Sequence, residues 1–285
     1  KNAPLYDQII ANARNAGKYI IYEFDDLLFE LPENHPERAQ ELYNTALLPM
    51  LSALIDADLV IVPTDELRKV AETYNPNVVL LPNYLDDTIW KIREPQVSQS
   101  SEPIIIGYMG SDSHTPDIAS LSPVIKELIE RYSNRIRLEV WGTPLPSELE
   151  NIDQIRWHPS PTNVYSEFAK FFQTLHFDIV IATLADNLFN RCKSGLKFLE
   201  YTAIGSPGVY SNLAPYQGLV NDGVNGFLAS NRNEWLEKLS QLIENPELRK
   251  QMVLAAQKTV KENWLLSENI KSWQDIFDRL NRQKQ

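Results

Sequence analysis

A single cysteine, Cys192, among 285 residues excludes a disulfide framework and a cysteine-built zinc centre, and it fits a reducing compartment. Positive charge is also short: 27 Lys and Arg stand against 38 Asp and Glu, a formal net charge of -11. A chain with that balance is not made to track a phosphate backbone, so nucleic acid is excluded as the main partner. A broad electrostatic membrane anchor is excluded with it, leaving peripheral contact through a local basic patch. No apolar run approaches the roughly 20 residues that a membrane-spanning helix needs. Histidine is sparse. His35, His114, His158 and His176 are scattered, and no metal-ligand spacing emerges from them. The opening KNAPLYDQII lacks signal-peptide character and reads as the interior of a domain, so the chain is expected to begin inside a longer protein.

What is present is an α/β pattern. The composition is 43% hydrophobic with 6 Trp, ample for a core, and the length suits two domains. Short β-rich runs are expected at 18–23, 57–62 and 78–81, with helices at 3–16, 37–54 and after Thr64, an N-cap followed by Asp65 and Glu66. The polar stretch KIREPQVSQSSEP, 91–103, reads as a linker. A second series follows: strands at 103–109, 136–141, 155–158, 177–182, 207–210 and 226–228, and helices at 120–132, 162–175, 193–204, 233–244, 246–262 and 267–280. Strands alternating with helices predict parallel sheets and two Rossmann-like, doubly wound domains. Boundaries are placed at 1–88, 89–266 and 267–285, the last segment being a helix that crosses back to the first domain. In such sheets ligands bind beyond the carboxyl ends of the strands.

The stretch FNRCKSGLKFLEYTAIGSPGVYS, 189–211, follows the buried run FDIVIATL. On a helix over 193–204, Lys197 lies about 40° from Lys193 and Glu200 about 20° on the other side, so all three share a stripe. Spacing alone is equally satisfied by a solvated face. A basic first turn, however, opposes the helix dipole unless an anion binds there, and helix N-termini bind phosphates. Lys193 is therefore a candidate phosphate ligand, and Glu200 a candidate acceptor for a diol such as a ribose. IIIGYMGSDSH, 104–114, places Gly107, Gly110, Ser111 and His114 at a strand exit, where glycine admits a ligand close to the backbone, although a plain tight turn reads the same. Asp25 and Asp26 follow a strand; a capping role competes with a catalytic one for Asp25. His35 and His114 are the candidate general acids or bases.

Set in order, these stretches resemble a retaining glycosyltransferase of the GT-B fold, glycosyltransferase family 4 in particular, from about Ile55 to the end of the chain. LPNYLDDTIW resembles the segment that introduces the family's second domain; IIIGYMGS, its first strand and Gly-rich loop; KFLEYTAIGSPGVYS, the acid-bearing helix with its Gly-x-Pro-Val strand. LVNDGVNGFL and ENPELRKQMVLAAQKTVKENW are similar to later segments. YIIYEFDDLLFELP looks like the later half of the acceptor domain. The resemblance implies a nucleotide-sugar donor held by the second domain, with Glu200 as the second acid of E-x7-E on the ribose and Gly110 beside the diphosphate.

Two departures matter. The first acid of that motif falls on Cys192, with Asn190 nearby, and the family's basic positions after the Gly-rich loop fall at about Ser111 and Pro116. The expected donor-binding set is Gly110, Ser111, Asn190, Lys193, Ser194, Lys197 and Glu200, with Lys193 and Lys197 neutralising the diphosphate. Asp25, His35 and His114 are the catalytic candidates. The implied activity is metal-independent, cofactor-free transfer of a hexosyl group to a glycan or lipid-linked acceptor, in polysaccharide or glycoconjugate synthesis. The expected location is the cytoplasm, with any membrane contact at the inner face. Two alternatives stay open: a catalytically inactive binding or scaffold module, and a UDP-sugar 2-epimerase of the same fold.

Overall fold

The computed structural model describes residues 6–33, 35–95 and 103–282. In chain order its elements are α1 (Tyr6–Asn15), β1 (Ile21–Glu23), α2 (Glu41–Asp56), β2 (Leu59–Val62), α3 (Asp65–Ala71), β3 (Val78–Leu80), β4 (Ile104–Met109), α4 (Thr115–Tyr132), β5 (Ile136–Trp141) and β6 (Ile155–His158). There follow α5 (Tyr165–Phe172), β7 (Ile179–Ala182), α6 (Leu188–Cys192), α7 (Leu196–Ala203), β8 (Gly208–Ser211), α8 (Ala214–Gln217), β9 (Phe227–Ala229), α9 (Arg232–Glu244), α10 (Pro246–Asn263) and α11 (Leu266–Arg282). The architecture is α/β with parallel sheets, as the alternating pattern predicts. Of the expected linker, residues 96–102 lie outside the described residues, as do residues 3–5 of the first expected helix.

The chain divides into two compact units: residues up to Asn83 together with Asp186–Ser194, and Tyr84–Ala185 together with Gly195 onward. The first unit carries a parallel sheet in the order β1-β2-β3. Its middle strand, LVIV, is buried at every residue, as a parallel strand covered on both faces must be. Thr64 caps α3, its hydroxyl accepting the Leu67 N–H at 3.2 Å. Leu54, Val60, Val62 and Leu67 form the core, and Phe189 and Cys192 join it from α6.

The second unit carries six parallel strands in the order β6-β5-β4-β7-β8-β9. Its first strand in sequence, β4, lies inside the sheet. The next two strands extend to one side and the following three to the other. The order therefore reverses between β4 and β7, the crevice position of a doubly wound sheet. Alternate residues feed two cores: Ile106, Ile179, Ile181 and Val209 on one face, Val180, Ala182 and Tyr210 on the other.

The helix expected over 193–204 is broken, which corrects the single stripe of Lys193, Lys197 and Glu200. Lys193 has φ -63° and ψ 153° and ends α6; α7 begins only after Gly195. The causes are local. Asn187 caps α6 by accepting the Asn190 N–H at 2.9 Å, Thr64 Oγ1 donates to the Cys192 carbonyl at 2.8 Å, and Asn83 Nδ2 donates to Ser194 Oγ at 3.1 Å, so this segment is fastened into the first unit. At Gly195 a Cβ would come within 2.4 Å of the Pro215 carbonyl oxygen. Only Lys197 and Glu200 remain on a common helix.

A Cβ at Gly107, in the middle of β4, would stand 2.4 Å from the Phe177 ring. We expect Gly107→Ala to cost about 1–3 kcal/mol, read as a lowered Tm of the second unit. Because the clash is with one side chain, Gly107→Ala and Phe177→Leu combined should cost less than the sum of the two separately.

Candidate active site

Glycines line the strand exits at the point where the sheet order reverses. β4 runs into Gly110, whose N–H donates to the Trp141 carbonyl at 3.1 Å. A Cβ there would stand 2.4 Å from Thr143 Oγ1 and 3.0 Å from His114 Cβ. At the neighbouring exit of β5, Gly142 has φ +80°, and a Cβ would meet the Gly110 oxygen at 2.3 Å. Thr143 Oγ1 donates to the Ser111 carbonyl at 3.0 Å, and the Ser111 and Ser113 hydroxyls lie 2.8 Å apart. His114 Nδ1 lies 2.7 Å from Asp117 Oδ2, and Asp117 Oδ1 accepts the Ala185 N–H, also at 2.7 Å. Ala185 follows β7, so this pair ties the exits of β4 and β7 together. α4 starts at Thr115, five residues earlier than expected, because Pro116 needs no donor in a first turn.

α7 brings Lys197 and Glu200 to the same end of the sheet. Its Tyr201 hydroxyl accepts the Met109 N–H at 3.2 Å, joining the helix to the end of β4. Its last turn closes with Gly205 at φ +78° and the Ser206 N–H donating to the Tyr201 carbonyl at 3.1 Å. Arg93, from the stretch expected as linker, donates to the carbonyls of Ile204, Gln173 and Leu175 at 2.6–3.1 Å. A cation on the carboxyl end of the helix also suits its dipole. Lys197 Nζ sits 5.3 Å from the centre of the Tyr108 ring, a cation–π contact.

Glu200 is 93% removed from water, being 7% exposed. Trp90 Nε1 donates to the Tyr165 hydroxyl at 3.0 Å, and that hydroxyl lies 3.0 Å from Glu200 Oε1. An indole N–H can only donate, so the one proton of Tyr165 is directed to Glu200. Burial pushes the Glu200 carboxyl up to about 7, against the opposing effects of the Tyr165 hydrogen bond and the Lys197 charge.

The other expected residues lie in the first unit. Lys193 pairs with Asp26 at 3.3 Å and covers the Phe189 ring at 4.3 Å. Asp25 is exposed just beyond β1. His35 is buried; its Nδ1 accepts the Glu37 N–H at 3.2 Å and its ring meets Phe189 edge-on at 5.3 Å. Asn190 is buried, and Ser194 takes the Asn83 amide. The Cys192 thiol is wholly buried and pushed up to about 12, first by burial and then by Glu66, Glu30 and Asp26, so it stays protonated and inert. Sequence reasoning missed Trp90, Tyr165 and Asp117. Only Asp117 had a signal: an acid three residues after a histidine at a helix start. Among the described residues no group of three or more His, Cys, Asp or Glu is placed to hold a metal ion, and no helix is long and apolar enough to cross a membrane.

A family model described as "Glycosyl transferase-like" matches residues 121–275, more than half of the chain. Trehalose synthase of Pyrococcus horikoshii is 29% identical over 86 residues, covering 30% of this chain and 21% of that protein. Among solved structures, TarM aligns with a TM-score of 0.65 at 17% identity, over 90% of this chain and 50% of TarM. Anabaena Alr3699/HepE in complex with UDP-glucose aligns with a TM-score of 0.66 at 16% identity, over 98% of this chain and 82% of HepE. The chain thus spans about a fifth of the trehalose synthase and half of TarM. The structural likeness establishes a GT-B glycosyltransferase fold.

The buried carboxyl has a measurable consequence. With its ordinary value at 4.5 in the unfolded chain and about 7 when folded, the folded state holds the extra proton between those values. Stability is therefore lost as pH rises through that window, by roughly 3 kcal/mol in all. We expect Glu200→Gln to melt higher than the parent at pH 8, with the gap closing by pH 5. A gap that is constant with pH contradicts the burial described.

Proposed function

Given that the chain belongs to the glycosyl transferase-like family, we propose that it transfers a hexosyl group from a uridine diphosphate sugar to a glycan or lipid-linked acceptor, with retention at the anomeric carbon, in the manner of glycosyltransferase family 4. The observation that carries this reading is the Glu200 carboxylate, oriented by Tyr165 at the carboxyl end of the sheet beside the β4–β7 reversal. A buried acceptor with one oxygen already bonded by Tyr165 suits a vicinal diol better than a metal or a free amine. HepE is crystallised with UDP-glucose, and the same donor class suits this chain.

In this mechanism the bond from the anomeric carbon to the β-phosphate oxygen breaks, its electron pair leaving with UDP. The acceptor hydroxyl oxygen forms the new bond on the same face, and its proton passes to the departing phosphate. Stabilising that leaving group is the main demand, and fixed cations and helix N–H groups meet it without reorganisation. Lys197, in the first turn of α7, is placed for it. Gly110 lets the Thr143 and His114 side chains pack directly against the strand exit. The donor is the one small molecule the reading requires; it uses no metal or cofactor. Lys193 is engaged with Asp26 in the first unit. Polysaccharide or glycoconjugate synthesis on the inner side of a membrane is the setting that such an acceptor implies.

A second reading, a nucleotide-sugar-binding module without transfer activity, is favoured by the inert Cys192 at the place of the first acid. Hydrolysis of UDP-glucose, or its absence at a concentration that saturates binding, separates the two.

Calorimetric titration tests the donor site. UDP should bind, and 2′,3′-dideoxyuridine diphosphate should bind about tenfold or more weaker, the value of a charge-assisted hydrogen bond. Glu200→Ala should bring the two ligands level. Equal affinity of the parent protein for both ligands would remove Glu200 from the ribose.

A further inference from the structure

We propose that Trp90 is a positioning residue for the donor: by filling one side of the Tyr165 hydroxyl it keeps Tyr165 a donor to Glu200 Oε1, and so reserves Oε2 as an acceptor for a ligand hydroxyl. The proposal rests on the reading above for the ribose contact. It adds the control of that contact by residues 84–93, YLDDTIWKIR, which run into the stretch that reads as a linker.

Trp90 is 1% exposed and firmly held. The backbone N–H groups of Ile89 and Trp90 both donate to the Asp86 carbonyl, at 3.0 and 2.8 Å. Gln173, just after α5, clasps the next turn of chain: its Oε1 accepts the Lys91 N–H at 2.7 Å, and its Nε2 donates to the Ile89 carbonyl at 3.2 Å. The indole meets the Phe172 ring edge-on at 6.1 Å. Further back, the Leu85 N–H donates to the Trp264 carbonyl at 2.9 Å, which ties the segment to the end of α10. The indole N–H is thus delivered to the Tyr165 hydroxyl from a fixed direction, at 3.0 Å. A buried N–H that lost this acceptor would be costly, so the contact is kept.

A phenol hydroxyl favours the ring plane, with its proton on one side of the oxygen and a lone pair on the other. The indole takes the lone-pair side, so the proton side faces Glu200. Oε1 is then an acceptor in either ionisation state. A neutral Glu200 must carry its proton on Oε2 and would meet a ligand hydroxyl with a donor. The ionised form meets it with an acceptor. Without the indole N–H, the Tyr165 hydroxyl is free to turn and accept from a protonated Oε1, which favours the neutral acid. Trp90 therefore acts on Glu200 through Tyr165, and it favours the form that a ribose needs.

The other groups around Glu200 act differently. On α7, Lys197 favours the ionised form by its charge, and the Tyr201 hydroxyl is engaged with the Met109 N–H. From α8, the Tyr216 hydroxyl is pushed up by burial and then by Tyr201, Asp117 and Glu200; Asp117 is itself matched by His114. From β4, Tyr108 is pushed up by burial, and Asp86, before Trp90, adds to the rise at Tyr165. All four tyrosines stay protonated across neutral pH, so none of them exchanges a proton with Glu200.

The test is a ¹³C NMR titration of the Glu200 carboxyl in the full chain, in Trp90→Phe, Tyr165→Phe and the double variant. Tyr165→Phe removes a hydrogen bond to the ionised form, so the midpoint should rise by about one pH unit. Trp90→Phe should move it the same way. The double variant should match Tyr165→Phe alone, because Trp90 acts through that hydroxyl. A midpoint that Trp90→Phe leaves unmoved, or shifts that add in the double variant, overturns the proposal. If Trp90→Phe does not fold, 3-benzothienylalanine at position 90 keeps the ring shape without the N–H, and the same outcomes decide. The ligand is read by calorimetric titration with UDP and 2′,3′-dideoxyuridine diphosphate, whose phosphates titrate alike. The preference for UDP should fall about fivefold in Trp90→Phe at pH 7 and return to within about twofold of the parent at pH 8.5, as Glu200 ionises. A preference lowered equally at both pH values overturns the role of Trp90 toward the ligand. Equal binding of the two by the parent protein removes the ribose reading instead, and the midpoints then decide the hold of Trp90 on Glu200 by themselves.

Discussion

Taking one carboxylate out of water is the constraint on which the second unit turns. Glu200 is nearly enclosed, and its isolation would be costly without a directed donor. Tyr165 supplies that donor, and Trp90 fixes which way the tyrosine proton points. The helix carrying Glu200 is held at both ends as well, by the Tyr201 bond to β4 and by Arg93 on its closing carbonyls. Such support is what a site needs when its chemistry depends on orientation.

The sheet gives that carboxylate its address. Because β4 enters the sheet first and β7 returns on its other side, the two exits diverge and leave a crevice. The His114–Asp117 pair, bonded to the backbone after β7, spans those exits, and the glycines at 110 and 142 let the β4 and β5 exits pack closely together. The first unit has its own logic. Its sheet is completed by packing Phe189 and Cys192 from a short helix that the chain inserts between β7 and α7. That insertion is why Lys193 serves Asp26 and Phe189 rather than the helix of Glu200.

Much of the architecture was legible because period-2 and period-3.6 patterns report local structure directly. The strand runs, the Thr64 cap and the α/β alternation all stand in the sequence, and Glu200 was singled out by its place after a buried strand. The break at Lys193–Gly195 was not legible, since its causes lie in partners far along the chain: Thr64, Asn83 and Pro215. The supports of Glu200 were hidden for the same reason. Tyr165 looked like one more residue of a helix, and Trp90 and Arg93 fell in or beside a stretch whose polarity suggested a linker. Cys192 marked a departure from the resembled pattern, and its burial in the first unit's core explains why a small apolar side chain stands there.

The most direct measurement is a ¹³C NMR titration of the Glu200 side-chain carboxyl, with and without UDP. The account predicts a midpoint near 7 in the free protein, far above the ordinary 4.5, and a displaced midpoint once UDP is bound. A midpoint in the ordinary carboxylate range that UDP leaves unmoved would contradict both the enclosure of Glu200 and its place in the donor site.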